Sequence, residues 1–171
     1  MSRLDFLSRY AVEGRHYDQE AELLNHVNNP KIVNRLYHVF NNKNFNITKP
    51  VMDAIVDKAI DPKRMNPHAS VGLVLHHRFY DFLKPEHINK MLDVNEPDII
   101  PIQAAFHANT SENLTKAMQH PSRKVRHNAV MNPDVTIGHL EAAYDDPSND
   151  ERLKRDIASV LYNKRKENGV I

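Results

Sequence analysis

The stretch His120-Pro121-Ser122-Arg123-Lys124-Val125-Arg126-His127-Asn128-Ala129-Val130-Met131-Asn132-Pro133 decides the fold. A proline-marked turn stands at each end, and a short helix carrying Val125 and Arg126 fits between them. Proline stops a helix and pre-sets φ for the turn. The turn returns at Asp146-Pro147-Ser148, and Pro67 and Pro97 open earlier units, at spacings of 30, 24 and 26 residues. Eight residues after the first three prolines stands a small or apolar residue: Leu75, Ala105 and Ala129. Recurrence at a near-fixed period is the signature of a helical repeat array.

A second helix recurs in each unit. Ile88, Leu114 and Leu140 are spaced by 26 and 26, as are Met91, Ala117 and Ala143. Residues three apart share a helix face, so each pair forms one apolar patch. A single short helix pair cannot bury such a patch, and stacked neighbours share a core. Ala105 and Ala129 are small enough for first helices to approach closely.

Upstream the pattern is helical but irregular. Leu4, Leu7, Tyr10 and Ala11 share one stripe, and Asp18 suits an N-cap before Ala21, Leu24 and Val27. Ile32, Val33, Leu36, Tyr37 and Phe40 form another face, closed by the Asn-rich loop Asn41-Asn42-Lys43-Asn44. Pro50 fits the first turn of a helix whose stripe is Val51, Met52, Ile55, Val56 and Ala59, running to Asp61-Pro62. The expected organisation is one all-α domain over residues 1–171: divergent helix pairs in 1–65, regular repeats in 66–160 and a polar tail in 161–171.

Composition narrows the chemistry. The net charge of +1 sets up no global field for nucleic acid or membrane. Without Cys, disulfides, thiolate metal sites and Cys nucleophiles are excluded, and a reducing cytoplasmic setting fits. No apolar run spans a bilayer, and Asp5 and Arg9 break up any N-terminal signal-like segment. Four glycines and no Gly-x-Gly-x-x-Gly argue against a phosphate-cradling loop. The frequent Asn and small size suit a viral or bacterial accessory protein.

Residues His120 to Asp146 resemble the leucine-rich repeat variant, a helical repeat of the HEAT-like superfamily. Its His/Asp-Pro turn, Val-Arg pair, Asn-Pro and later Leu correspond here to His120-Pro121, Val125-Arg126, Asn132-Pro133 and Leu140. The likeness is partial over residues 66–160: Arg78 stands where the family has Asn, and the units at Pro67 and Pro97 lack a clear Val-Arg pair. It implies an α-solenoid, a right-handed superhelix of about five or six helix pairs. It also places Arg126 in a structural ion pair with Asp145 or Asp146. Members of that family can carry a Cys-bound iron–sulfur cluster; without Cys that feature does not transfer, and no cofactor is expected. HEAT-like alkylpurine DNA glycosylases share only the repeat style, and their aromatic side chains near the lesion find no Trp here.

Three groups of side chains carry candidate chemistry. His87 and His139 occupy equivalent second-helix positions, as do His77 and His107 in first helices. Without a His-x-x-x-His or His-Glu-x-x-His pair on one helix, they read as capping, turn or surface groups rather than metal ligands. Arg123, Lys124 and Arg126, with Lys154 and Arg155 from the next unit, form a potential phosphate-gripping patch. Asp53, Asp57 and Asp61 make a solvated acidic row. Ser70, Ser111 and Ser122 look like helix caps. The expected function is non-enzymatic protein binding by outward-facing second-helix residues His87, Lys90, Asn113, Lys116, His139 and Glu141. The alternative is nucleic-acid binding by Arg123, Lys124, Arg126, Lys154 and Arg155.

Overall fold

The computed structural model describes residues 48–60, 74–75, 77–95 and 98–170. Within these residues every regular element is helical. The chain divides into two compact units, Met1–His87 and Ile88–Ile171. The first three helical stripes, the Asp18 cap, the Asn-rich loop, Asp61-Pro62, Pro67, Ser70, His76 and Pro97 lie outside the described residues, as do the side chains of His77 and Arg78.

In the first unit, helix α1 spans Lys49–Ala59, with Pro50 in its first turn. A residue there would have an N–H with no partner inside the helix, so the N–H that proline lacks costs no hydrogen bond. The apolar stripe Val51, Met52, Ile55, Val56 and Ala59 is fully buried. A 3₁₀ turn follows at His77–Phe82. It buries Phe79, and the Tyr80 hydroxyl donates to the Val74 carbonyl at 2.8 Å. Helix α2 spans Pro85–Leu92 and runs across the division between the units. Leu75 departs from the repeat register: it is 55% exposed, while Val74 is buried. The unit opened by Pro67 is 30 residues long rather than 24 or 26, which shifts its phase.

The second unit contains helices α3 (Ile99–Phe106), α4 (Ser111–Met118), α5 (Arg123–Val130), α6 (Ile137–Asp145) and α7 (Glu151–Glu167). Helix α5 packs against both α3 and α7, and α4 packs against α6. Cross-packing of α3 with α4, α4 with α5 and α6 with α7 joins the two rows. The repeated apolar positions form the core: Ile88, Leu114 and Leu140 are buried, as are Met91, Ala117, Ala143, Ala105, Ala129 and Val125.

Three of these N-termini carry a side-chain cap. Thr110 accepts from the Asn113 N–H, Thr136 from His139 and Asp150 from Leu153. Such caps satisfy donors with no partner inside the helix. Ser111 is therefore the first residue of α4 and not its cap, and Ser122 stands at the cap of α5 without a side-chain bond. The stretch expected as a polar tail continues α7 through Glu167. It stops in a Schellman turn: Gly169 adopts φ +67°, its N–H reaches the Lys166 carbonyl at 3.1 Å, and Val170 N–H reaches Arg165 at 2.9 Å.

Candidate functional site

The side-chain bonds between helices of the second unit mostly join residues about one repeat apart. Lys116 Nζ donates to the Asn89 carbonyl at 3.1 Å and to Asn89 Oδ1 at 2.7 Å, and pairs with Asp93 at 2.7 Å. Arg123 bonds Asp150 at 2.8 Å, and Lys124 bonds Asp98 at 2.9 Å. Arg165 pairs with Glu141 at 2.7 Å, and Lys164 donates to the Pro133 carbonyl at 2.8 Å.

Two buried asparagines tie the turns to the helices. Asn132 Nδ2 lies within 2.9 Å of the Ala105, Phe106 and Ala108 carbonyls, and its Oδ1 accepts from the Asp134 N–H at 2.8 Å. Asn149 Nδ2 donates to the Ala143 carbonyl at 2.7 Å, and its Oδ1 accepts from Arg126 Nε at 2.8 Å. Arg126 Nη1 donates to the His120 and Pro121 carbonyls at 2.8 and 2.9 Å. Arg126 is thus structural, as expected, but the partner differs. It hydrogen-bonds a neutral amide and two carbonyls, while its charge helps hold the Asp146 carboxyl, bonded first to Ser148, below its ordinary range without a direct ion pair. The Asp146 side chain folds back to accept from the Ser148 N–H at 2.8 Å.

The six residues expected to face a protein partner separate into three environments. His87 and Asn113 do not face out: they are 1% and 2% exposed. Lys90 is exposed on α2. Lys116, His139 and Glu141 line grooves on the α4 and α6 side. The recurrence of His87, Asn113 and His139 has a backbone reason, since each is the third residue of its helix. His87 Nδ1 accepts from the Lys84 N–H at 3.0 Å, and His139 Nδ1 accepts from Thr136 N–H at 3.3 Å. Both rings make the return bond of a capping box, with imidazole in the usual place of Glu or Gln.

These bonds also fix the tautomers. Because Nδ1 accepts, the proton sits on Nε2 in both rings. His87 Nε2 then donates to Asp53, whose carboxyl is held below its ordinary range first by the Lys49 hydrogen bond and also by His87. His139 Nε2 donates to Ser111 Oγ at 2.9 Å, so this exposed pair is oriented with Ser111 as acceptor. Neither imidazole offers a free basic nitrogen to activate a nucleophile. Among the described residues, no three His, Asp or Glu side chains converge to hold a metal ion. No described helix is long and apolar enough to cross a membrane.

Two larger grooves open on the second unit. One, of about 670 Å³, is lined by Asp93, Glu112, Lys116, Gln119 and His120 among others. The other, of about 610 Å³, lies between α6 and α7, with Tyr144, Leu161 and Tyr162 beside the Glu141–Arg165 pair. Tyr144 and Tyr162 are 45% and 58% exposed. Neither tyrosine stood out in the sequence, since nothing in a stripe of 3.6-residue period tells an exposed aromatic from a core one. The residues of the expected basic patch are largely engaged. Besides the bonds of Arg123, Lys124 and Arg126, Lys154 lies 6.0 Å from the Tyr144 ring centroid, and Arg155 Nε reaches the Glu151 carbonyl at 3.3 Å.

Burial holds the imidazoles of His107 and His120 below their ordinary value. At His120 the charges of Arg126 and Lys116 add to this, against the Leu92 carbonyl and Asp93. A depressed histidine binds its proton less readily folded than unfolded. Its contribution is complete above the unfolded value, about 6.5, and is lost as pH falls toward the folded value. Urea midpoints should therefore drop between neutral pH and mild acid, above the range where carboxylates titrate. His107→Asn with His120→Asn should flatten that drop; an unchanged profile in the double variant would refute the assignment.

The chain matches no protein-family model, no curated protein and no solved structure.

Proposed function

We propose that this chain is a non-enzymatic protein-binding α-solenoid of HEAT-like helix pairs, similar in repeat style to the leucine-rich repeat variant, and that it acts as an adaptor, inhibitor or accessory factor. The α3–α5–α7 and α4–α6 packing rows and the one-repeat spacing of the bonds support the solenoid. The observation that carries the function is the α6–α7 groove with its two exposed tyrosines beside a Glu–Arg pair. Tyrosine and arginine are enriched in protein interfaces, where an amphipathic ring supplies contact area at small entropic cost. The nucleic-acid alternative has weaker support. Arg123 and Lys124 are ion-paired and Arg126 is bonded to backbone, so gripping phosphate would require breaking existing bonds.

An affinity capture with the full chain tests this reading. The expected result is one stoichiometric polypeptide that survives nuclease and is lost with Tyr144→Ala plus Tyr162→Ala. Release by nuclease, together with loss on Arg123→Ala plus Lys124→Ala, would replace it with the nucleic-acid reading.

A further inference from the structure

Among the described residues of the second unit, exposed cations without an ion pair are found on the outer face of α7, whereas Arg123 and Lys124 of the Arg123–Arg126 cluster are ion-paired. Arg152, Arg155, Ser159, Tyr162 and Lys166 are all exposed, and their 3-4-3-4 spacing puts them on one stripe of the helix. At 1.5 Å per residue the stripe runs about 21 Å from Arg152 to Lys166. Arg152 and Lys166 form no ion pair among the described residues, and Arg155 bonds only the Glu151 carbonyl of its own helix. The opposite face supplies the core contacts, Leu153 and Ile157. Lys164, on the side of Leu153 and Ile157, and Arg165 are already committed to Pro133 and Glu141.

A helix that only closes a repeat stack needs a polar outer face. Mixed charge meets that need best, since interspersed signs avoid a one-sided field. This stripe instead carries an excess of one sign, Arg152, Arg155 and Lys166 against the single acid Glu151 one turn before Arg155; Asp156, one turn after Arg152, is paired with His127, and Glu167 lies off the stripe. The stripe also exposes a tyrosine that lines the α6–α7 groove, so the charged face and the groove meet at one side chain. Helix-terminal cations alone would be explained by the macrodipole, which favours positive charge in the last turn. That accounts for Lys166 but not for Arg152 and Arg155, which sit in the first turns where the dipole disfavours them.

We propose that the outer face of α7 and the adjoining α6–α7 groove dock an acidic protein segment that places an apolar or aromatic side chain beside Tyr144 and Tyr162. This rests on the protein-binding reading above and names the chemistry of the partner. Carboxylates meet Arg152 and Arg155 at one end and Lys166 at the other. A protein segment fits better than nucleic acid because Glu141 and Asp145 line the groove. An evenly charged phosphate backbone would be repelled there, whereas a peptide can present an uncharged anchor between its acids.

The test uses the full chain and a fluorescent Glu-rich peptide with one central Phe. Two probes serve as controls, the same peptide with Gln for Glu and a single-stranded oligothymidylate. The Glu peptide should bind best, with affinity falling as salt rises. The triple variant Arg152→Glu, Arg155→Glu, Lys166→Glu should weaken it by about tenfold or more, since all three side chains are exposed rim charges. Tyr162→Ala should weaken it separately, and Lys124→Glu, whose partner Asp98 lies away from α7, should leave it unchanged. Circular dichroism on each variant checks the fold. Equal binding of the Glu and Gln peptides, no binding of the Glu peptide, or indifference to the triple reversal would each overturn the proposal. So would tighter binding of the oligothymidylate. A captured protein lost with Lys116→Glu but unaffected by the α7 variants would leave the protein-binding reading standing and remove only this one.

Discussion

Asn132→Ala should be among the most destabilising single substitutions in the second unit, costing roughly 3 kcal/mol or more. The side chain is 2% exposed and its amide nitrogen serves three carbonyls at the end of α3, while its oxygen holds the Asp134 N–H. A two-proton amide cannot satisfy three acceptors fully, so the bonds share its donors. Even so, truncation leaves several buried polar atoms unpaired at once, each costing about 1–3 kcal/mol. Asn132→Asp should be at least as harmful. It keeps the shape and the turn bond but replaces the donor by a carboxylate facing carbonyl oxygens. Thermal unfolding provides the measurement, and for a unit of this size the midpoint should fall by roughly 10 °C or more. A fall of only a degree or two in both variants would show that water replaces the amide.

Much of this architecture was legible, and the reason is periodic burial. The 26-residue spacing of Ile88, Leu114 and Leu140, and of Met91, Ala117 and Ala143, marked positions that are all buried. The stripe of α1 was legible for the same cause. What the pattern could not separate is recurrence due to packing from recurrence due to capping. His87, Asn113 and His139 repeat as faithfully as the leucines, and polar residues that repeat on a helix suggest a shared recognition surface. Their position as third residues ties them to the helix start instead. The Thr136-x-x-His139 spacing was the available signal, hidden because His replaces the usual acid or amide. The α7 face was misread for a different reason. A run such as Lys164-Arg165-Lys166 looks like a fraying tail, yet Gly169 stands just where a helix stop needs positive φ.

Arg126→Ala should cost about 2–4 kcal/mol, and Arg126→Lys should recover little of it. The guanidinium reaches in two directions at once. Nε holds the buried Asn149, while Nη1 holds the consecutive carbonyls of His120 and Pro121. It thus links the turn that opens one repeat to the turn that opens the next. A lysine ammonium carries the charge but is a single point on a flexible stem and cannot span both sites in the geometry of a planar fork. The partner amide makes the claim sharper. Asn149 also donates to the Ala143 carbonyl at the end of α6, so loss of Arg126 leaves its Oδ1 unpaired but keeps its Nδ2 bond. Asn149→Ala should therefore be costly alone, and the pair should be strongly non-additive, with a coupling of about 1–2 kcal/mol in a double-mutant cycle. Additive losses would mean that the two side chains act on their turns independently. A coupled result would identify Arg126–Asn149 as the joint between successive repeats and explain why the Val125-Arg126 pair stands beside the proline turn.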